Sequence, residues 1–156
     1  MTTEPLAGTA TPVLSIARVT AWLARQAERA LAESDLSLPQ YRVLSLLAEG
    51  MALPSSMADS LDVRRPSITA VVDGLVARGL VVRETDPLDR RRVAHRITAK
   101  GRLLVSESDE AVEARLRAVA ASLGDEGEAA RALAGLEVFG AALLAWRASQ
   151  LADHRR

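Results

Sequence analysis

Residues 54–101 read PSSMADSLDVRRPSITAVVDGLVARGLVVRETDPLDRRRVAHRITAKG, and this stretch decides the fold. Two short helical patterns are followed directly by two β-rich runs that flank a basic turn. In the first helix Met57, Ala58 and Leu61 share one face at spacings of three and four, which suits burial. Asp62 marks the turn to the second helix. This order predicts a winged helix-turn-helix, which is an arrangement that binds DNA.

The second helix of the segment is the candidate recognition helix. It is predicted to begin between Arg64 and Ser67, where Pro66 is tolerated in the first turn, and to stop at Gly79. Its inward face is expected to consist of apolar residues at helical spacing, namely Ile68, Val71, Val72, Leu75 and Val76. The flanks and outer face then carry Arg65, Ser67, Thr69, Ala70 and Asp73. Taken alone, this pattern also fits any amphipathic surface helix, whereas arginines and hydroxyls on the first turns suit a major groove.

The hairpin that follows is the candidate wing. Residues 80–84 and 93–97 are rich in β-branched residues and are predicted strands, joined by residues 86–92, DPLDRRR. An arginine on a protruding hairpin can enter a minor groove. Asp89 is expected to orient such an arginine through a charge-assisted hydrogen bond. The alternative is a solvated charged turn, but three arginines directly after a helix-turn-helix favour the wing.

With these motifs the chain resembles the multiple-antibiotic-resistance regulator (MarR) family of bacterial transcription factors, from about residue 13 to residue 151. The resemblance rests on short motifs, namely MADSL at 57–61, PSIT at 66–69, VDGL at 72–75, RGLV at 78–81, DPLDRR at 86–91 and ITAKG at 97–101. It implies a homodimer that binds a pseudo-palindromic operator, usually as a repressor, and releases it when a small molecule binds.

The resemblance also implies roles for particular residues. Ser67 and Thr69 match base-contacting or phosphate-contacting positions of the recognition helix, and Asp89 and Arg91 match the wing pair. The full set of candidate DNA-binding residues is Arg64, Arg65, Ser67, Thr69, Asp89, Arg90, Arg91 and Arg92. The sequence departs from the family pattern at Ala70 and Gly74, where members often carry a larger polar or basic residue. Gly74 also weakens the helix by up to ~1 kcal/mol relative to alanine.

Composition agrees with a DNA-binding role for the middle of the chain. The 156 residues carry no net charge, yet residues 54–100 hold nine basic against six acidic residues, and residues 103–156 hold six against nine. This asymmetry is expected if only the centre meets phosphate. The chain has no cysteine and two histidines, His95 and His154, without partners at metal-ligand spacing. No catalytic trio or glycine-rich phosphate loop is evident, so neither an enzyme, a metal site nor a cofactor is expected.

The segments outside this unit are predicted to be helical. Pro12 can open a first helix, Thr98 can cap a long helix from Ala99 to about Ser122, and Asp125, Glu126 and Glu128 suit the first turn of a last helix. Residues 12–35 and 99–156 are therefore expected to form a dimerisation region around a winged helix-turn-helix of residues 36–98. The alternative is a three-helix bundle within a monomer. The fold class expected is mainly α with a small β-hairpin wing.

The first residues, 1–11, lack a basic start and an apolar core, so we expect a flexible tail and not a signal peptide. No apolar run approaches membrane-spanning length, and a cytoplasmic, nucleoid-associated protein is expected.

A ligand site is expected between the dimerisation helices and the DNA-binding unit, because the family resemblance implies a cleft there for phenolic or aromatic carboxylates. Arg18, Trp22 and Arg42 lie on the matching helices and offer a cation or a stacking face to an anion. The alternative places Trp22 in a core or dimer interface and both arginines on the surface. Three functions therefore compete: a ligand-responsive repressor, a DNA-binding regulator without a ligand, and a helical interaction module whose winged helix no longer reads DNA.

Overall fold

Six helices and one hairpin make up the part of the chain that the structure describes. The computed structural model describes residues 15–85 and 93–153, with side chains to residue 150. In chain order the elements are α1 (Ile16–Glu33), α2 (Leu38–Ala48), α3 (Pro54–Leu61), α4 (Arg65–Ala77), β1 (Val81–Thr85), β2 (Val93–Ile97), α5 (Ala99–Ala121) and α6 (Glu126–Asp153). The mainly α fold with a small antiparallel hairpin is the one that the sequence predicts.

Side-chain caps set the starts of the first two helices. Helix α1 begins at Ile16, because the Ser15 side chain accepts a hydrogen bond from the Arg18 amide at 3.4 Å. The expected start at Pro12 is therefore wrong for this helix, and Pro12 itself lies outside the described residues. In α2 the Ser37 hydroxyl and the Gln40 side chain each accept from the other residue's amide, at 3.3 and 3.0 Å. This capping box satisfies amide donors that would otherwise have no partner.

The core lies between α2, α3, α4 and the hairpin. Of the predicted inward residues of α3 and α4, Met57 and Leu75 are fully enclosed, Ala58, Ile68 and Val72 are nearly so, and Leu61 is half-buried. Val71 and Val76 are half-buried and pack against this core. The other buried members come mainly from α2 and the hairpin, namely Val43, Leu44, Leu46, Leu47, Leu80, Val81 and Ile97. The candidate recognition helix is therefore held against α2 by continuous apolar contact.

Two turns with positive φ bracket α4. Asp62 adopts φ 52°, which ends α3 and redirects the chain towards α4. Gly79 adopts φ 69° and ends the helix as predicted, with its amide bonded to the Val76 carbonyl at 2.9 Å. The next amide, of Leu80, bonds the Leu75 carbonyl at 3.0 Å. Because Leu80 completes this helix cap, β1 begins at Val81, one residue later than predicted.

The hairpin is held by its own register and by the loop before α3. Val81 pairs with Ile97 at its base and Thr85 pairs with Val93 at the far end of the described strands. The His95 amide also bonds the Ala52 carbonyl at 2.9 Å, which joins β2 to the connection between α2 and α3. The hairpin is thus attached to the helical core and not only to its neighbouring strand.

The start of α5 lies against the end of α4 without room for a side chain. The Thr98 hydroxyl donates to the Gly79 carbonyl at 2.9 Å and accepts from the Gly101 amide at 3.0 Å. A Cβ on Gly101 would overlap the Leu80 carbonyl oxygen and lie 2.7 Å from Ile97 Cγ1. The ITAKG motif therefore encodes a helix cap and a close backbone approach.

The outer helices leave much apolar surface uncovered within one chain. Helices α1 and α5 pack together, and Arg115 Nε donates to Gln26 Oε1 at 2.9 Å. Asp125 Oδ1 accepts the Glu128 amide at 2.7 Å, so acidic side chains lie at the start of α6 as predicted. Large apolar residues on α1 and α6 stay exposed, namely Ile16, Val19, Trp22, Leu136, Val138, Phe139, Leu143, Leu144 and Trp146.

Helix α6 contains a longer apolar stretch than we expected from the sequence. Among the described residues, the stretch Glu126–Gln150 is long and apolar enough to cross a membrane by length and composition, and none of it is buried within the chain. The expectation that no apolar run approaches this length is therefore wrong. One such helix is weak evidence for a membrane, because helices that are covered in soluble proteins meet the same test.

Replacement of Gly101 tests the close approach at the α5 start. Gly101→Ala is expected to lower the free energy of unfolding by about 1–3 kcal/mol, because the added methyl group must displace the Leu80 carbonyl or Ile97. Gly135→Ala is the matched control, since a Cβ there meets nothing within 4 Å and alanine favours a helix. Urea denaturation of both variants measures the difference. Equal stability of Gly101→Ala and the wild type would contradict the packing account.

Candidate nucleic-acid interface

The first turns of α4 present cations and hydroxyls to solvent. Arg64, which precedes the helix in an extended conformation, and Arg65, Ser67 and Thr69 are all exposed. Within the described residues, neither guanidinium has an ion pair and the Ser67 hydroxyl has no hydrogen-bond partner. The candidate residues of the recognition helix therefore lie together on a free surface, next to the amino end of the helix.

The hydroxyl of Thr69 has a defined hydrogen-bonding capacity. It donates to the Arg65 carbonyl one turn earlier, at 3.2 Å. Since its proton is used within the helix, the oxygen can offer a new partner only its lone pairs. Such an acceptor suits the exocyclic amino group of adenine or cytosine in a major groove.

An ion pair joins the recognition helix to the hairpin. Asp73, on the outer side of α4, pairs with Arg83 of β1. Both side chains are about half exposed, so the pair adds little to stability, but it neutralises an acid that would otherwise repel phosphate. Sequence reasoning placed Asp73 outward and missed this partner. An acid on a helix expected to meet DNA was the signal that could have prompted a search for one.

A cavity of about 380 Å³ separates α4 from the hairpin. Its lining includes Pro54, Thr69, Asp73, Arg83 and His95. Burial lowers the pKa of His95, so the imidazole is neutral at pH 7. Its Nδ1 is buried without a hydrogen-bond partner among the described residues. Within these residues no group of acids and histidines could hold a metal ion.

The predicted wing tip, with Asp89, Arg90, Arg91 and Arg92, lies outside the described residues. The described parts of the hairpin end at the Thr85–Val93 pair. Below that end, Arg96 Nε donates to Glu84 Oε1 at 2.5 Å across the two strands. The hairpin therefore already carries two arginine–carboxylate pairs, of Arg83 and Arg96, before its tip is reached.

All three candidate ligand residues lie on the surface of the single chain. Arg18, Trp22 and Arg42 are exposed, Trp22 to 59%. A cavity of about 390 Å³ between α2 and α5 is lined by other residues, namely Tyr41, Ser45, Ala48, Glu49, Val105 and Asp109. Its two carboxylates disfavour an anionic ligand there.

The described residues also contain a hydrogen bond that sequence reasoning missed. The Tyr41 hydroxyl of α2 donates to Asp109 Oδ1 of α5, across 68 positions of sequence. Burial, followed by the hydrogen bond to Asp109 and the charge of its carboxylate, raises the pKa of Tyr41 to about 12. No periodicity or local motif signals such a pair, because it depends on how two helices meet.

Gly74 is not required by packing. A Cβ there would meet Gln40 Nε2 at 3.8 Å, an ordinary contact. The departure from the family pattern at this position therefore reflects neither a close approach nor a positive φ.

Comparison with known proteins places these features in a family. A model described as the MarR family matches residues 34–92. A crystal structure of a MarR-family transcriptional regulator from Rhodococcus sp. RHA1 is 30% identical, with a TM-score of 0.58, and the match covers 64% of this chain and 71% of that one. The chain belongs to the MarR family. MarR-family proteins are DNA-binding transcriptional regulators and not enzymes.

Two further MarR-type relatives carry informative descriptions. CouR from Rhodococcus jostii RHA1, in a structure bound to p-coumaroyl-CoA, is 31% identical over 64% of this chain and 71% of its own, with a TM-score of 0.59. CouR bound to a 23-mer DNA duplex is matched over 80% of this chain and 89% of that chain, at 26% identity and a TM-score of 0.64. The regulator FarR from Neisseria gonorrhoeae is 35% identical over 62% of this chain, and the match spans 66% of FarR.

Proposed function

We propose that this protein is a homodimeric, sequence-specific regulator that represses transcription from a pseudo-palindromic operator. The observation that carries the proposal is the exposed set of arginines and hydroxyls at the amino end of α4, beside a hairpin whose tip reads DPLDRRR. In this proposal residues 36–98 bind DNA, and residues 12–35 and 99–156 form the dimer. Such a regulator acts in the cytoplasm, on the nucleoid.

Each candidate residue has a proposed part in DNA binding. Ser67 and Thr69 contact base edges, with Thr69 accepting from an amino group of adenine or cytosine. Arg64 and Arg65 bind phosphate oxygens or guanine at the mouth of the groove. Asp89 orients Arg91 for the minor groove, and Arg90 and Arg92 neutralise the backbone beside it.

Two single variants distinguish base reading from phosphate binding. DNA selected by the wild-type protein from a random pool serves as the operator. Thr69→Val keeps the shape and removes the acceptor, so it should weaken binding to this DNA by about 1–3 kcal/mol and binding to random DNA far less. Arg91→Ala should weaken binding by a similar amount and reduce the salt slope by about one.

Arg131→Ala is the matched control for these variants, because Arg131 lies on α6 with its side chain 73% exposed. It should leave affinity and salt dependence unchanged. Selection of no preferred sequence by the wild type would favour the third class of function, a helical interaction module. Equal losses on selected and random DNA in Thr69→Val would make this residue a phosphate contact.

The uncovered apolar surface of α1 and α6 supports a second copy of the chain as its cover. Phe139 and Trp146 are 62% and 63% exposed, and Leu144 and Val138 even more so. Soluble monomers rarely leave so many large apolar side chains on neighbouring elements. A two-fold dimer buries them and also sets two α4 helices about 34 Å apart, one turn of DNA.

A charge placed in this surface tests the dimer. Phe139→Asp is expected to give a monomer in sedimentation equilibrium, because an aspartate cannot be buried at an apolar interface without a large desolvation cost. Phe139→Leu is the matched control and should remain dimeric. Helix content measured by circular dichroism shows whether each variant folds. A wild-type monomer, or a dimeric Phe139→Asp variant, would contradict this interface.

Release of DNA is proposed to follow binding of an aromatic carboxylate or its CoA thioester. The support is that CouR was crystallised with p-coumaroyl-CoA. Arg18, Trp22 and Arg42 remain the proposed ligand residues, in a cleft that a second chain would complete. The absence of cysteine excludes a thiol as the sensor.

Titration of a preformed DNA complex tests this part. p-Coumaroyl-CoA, free p-coumarate and CoA alone are added separately while fluorescence anisotropy follows the DNA. At least one of the aromatic compounds should dissociate the complex, and CoA alone should not. No release by any of these compounds would favour the alternative, a DNA-binding regulator without response to this ligand class.

A further inference from the structure

The DNA-binding unit and the outer helices are joined by polar contacts as well as by the chain itself. Along α2, Tyr41 near its start donates to Asp109 of α5, and Glu49 just past its end pairs with Arg147 of α6 at 3.6 Å. Both contacts leave the same side of α2, where Tyr41 and Glu49 line one cavity with Asp109. These are cross-links between the element that supports the recognition helix and the helices proposed to form the dimer.

The two cross-links differ in how firmly they can fix a position. The Glu49 and Arg147 side chains are 58% and 28% exposed, so water and salt screen their attraction. Tyr41 is half-buried. Its hydroxyl lies on a rigid ring, and its side chain has fewer rotatable bonds than that of glutamate or arginine. A hydrogen bond between partly buried groups is directional and is stronger than the same bond in water.

The apolar contacts around this hydrogen bond do not fix the angle between α2 and α5. Val105, one turn before Asp109, belongs to the core that contains Leu44 and Leu47, and Val112, one turn after Asp109, packs against that core. Apolar contact is non-directional, so such a surface tolerates small changes of angle between α2 and α5. The Tyr41–Asp109 bond selects one of these angles.

The angle of α2 decides where the recognition helix lies. The buried face of α2 shares one core with Ile68, Val72 and Leu75 of α4, so a change in the angle of α2 displaces these side chains. We propose that the hydrogen bond from Tyr41 to Asp109 positions α4 relative to the outer helices, and so sets the half-site spacing that the dimer prefers. This inference rests on the proposed dimeric DNA-binding function.

The experiment measures how the affinity for DNA depends on the spacing between the two half-sites. Palindromic duplexes carry the selected half-site at the best spacing and at spacings one base pair longer and shorter. Wild type should lose affinity by about tenfold on both altered duplexes. Tyr41→Phe, which removes one oxygen atom, should lose about fivefold at the best spacing and bind all three duplexes with similar affinity.

Two further variants separate positioning from stability. Asp109→Asn keeps an acceptor oxygen for Tyr41 and should retain the wild-type spacing profile. Ser122→Ala removes a hydroxyl whose bond to the Val119 carbonyl, at 2.7 Å, stays within one helix end, and it should do the same. Thermal melting of each variant shows whether folding is intact.

The chain has a single tyrosine, so the ionisation of Tyr41 can be followed without interference from another phenol. Tyrosinate absorbance can therefore arise only from Tyr41. Because the pKa of Tyr41 is raised to about 12, its phenol should stay protonated at about pH 10.5, where a free tyrosine is largely ionised. Asp109→Leu, which has no acceptor, should lose the spacing preference as Tyr41→Phe does.

Three results would overturn the inference in different ways. A Tyr41→Phe variant with the wild-type spacing profile would show that the bond does not position α4. A uniform loss at every spacing, with a matching loss of thermal stability, would show a structural role only. Equal binding of the three duplexes by wild type would contradict the proposed dimeric reading itself, and the positioning role with it.

Discussion

The close approach of the first turn of α5 to the Leu80 carbonyl is the constraint on which the rest of the structure depends. At this point the end of α4, the start of β1, the end of β2 and the start of α5 meet through Thr98 and Gly101. The contacts continue outward, because Lys100 Nζ donates to the Arg78 carbonyl at 3.1 Å and Arg78 donates to the Asp35 carbonyl at 2.7 Å. Helix α4 is therefore anchored at its carboxyl end, and its amino end stays exposed, as the proposed contact with DNA requires.

The parts of the fold that could be predicted from the sequence are those that depend on residues close together in the chain. Periodicity located Ile68, Val72 and Leu75, because burial of a helix face repeats at the period of the helix itself. Caps and turns such as Thr98 and Gly79 act over three to five residues, so local motifs carry them. The predicted start of α1 at Pro12 was wrong because Ser15 caps the helix. The predicted start of β1 at Leu80 was wrong because the Leu80 amide completes the cap of α4.

The missed contacts share a different physical origin. Tyr41 meets Asp109, and Asp73 meets Arg83, because separate elements pack at particular angles. Such angles follow from the whole set of side-chain volumes and not from any local pattern. The uncovered face of α6 also could not be interpreted from the sequence alone. Apolar residues at helical spacing predict that the face is buried, but they do not show whether this chain or another one covers it. The apolar composition of α6 fits the proposed dimer, in which a partner chain covers this face.

A regulator built in this way has few routes by which a ligand can act. A ligand shifts an equilibrium only by its difference in affinity for the two states, so it must bind where those states differ in shape. The buried faces of α2 and α4 are closely packed, and α2 and its carboxyl end also meet α5 and α6 through polar contacts. Among the described residues, the contacts across this junction include a partly buried hydrogen bond, an ion pair of partly exposed side chains and non-directional apolar packing. In the proposed dimer, a ligand that changed the angle between α2 and α5 would also change the distance between the two α4 helices and so the preferred spacing of the half-sites.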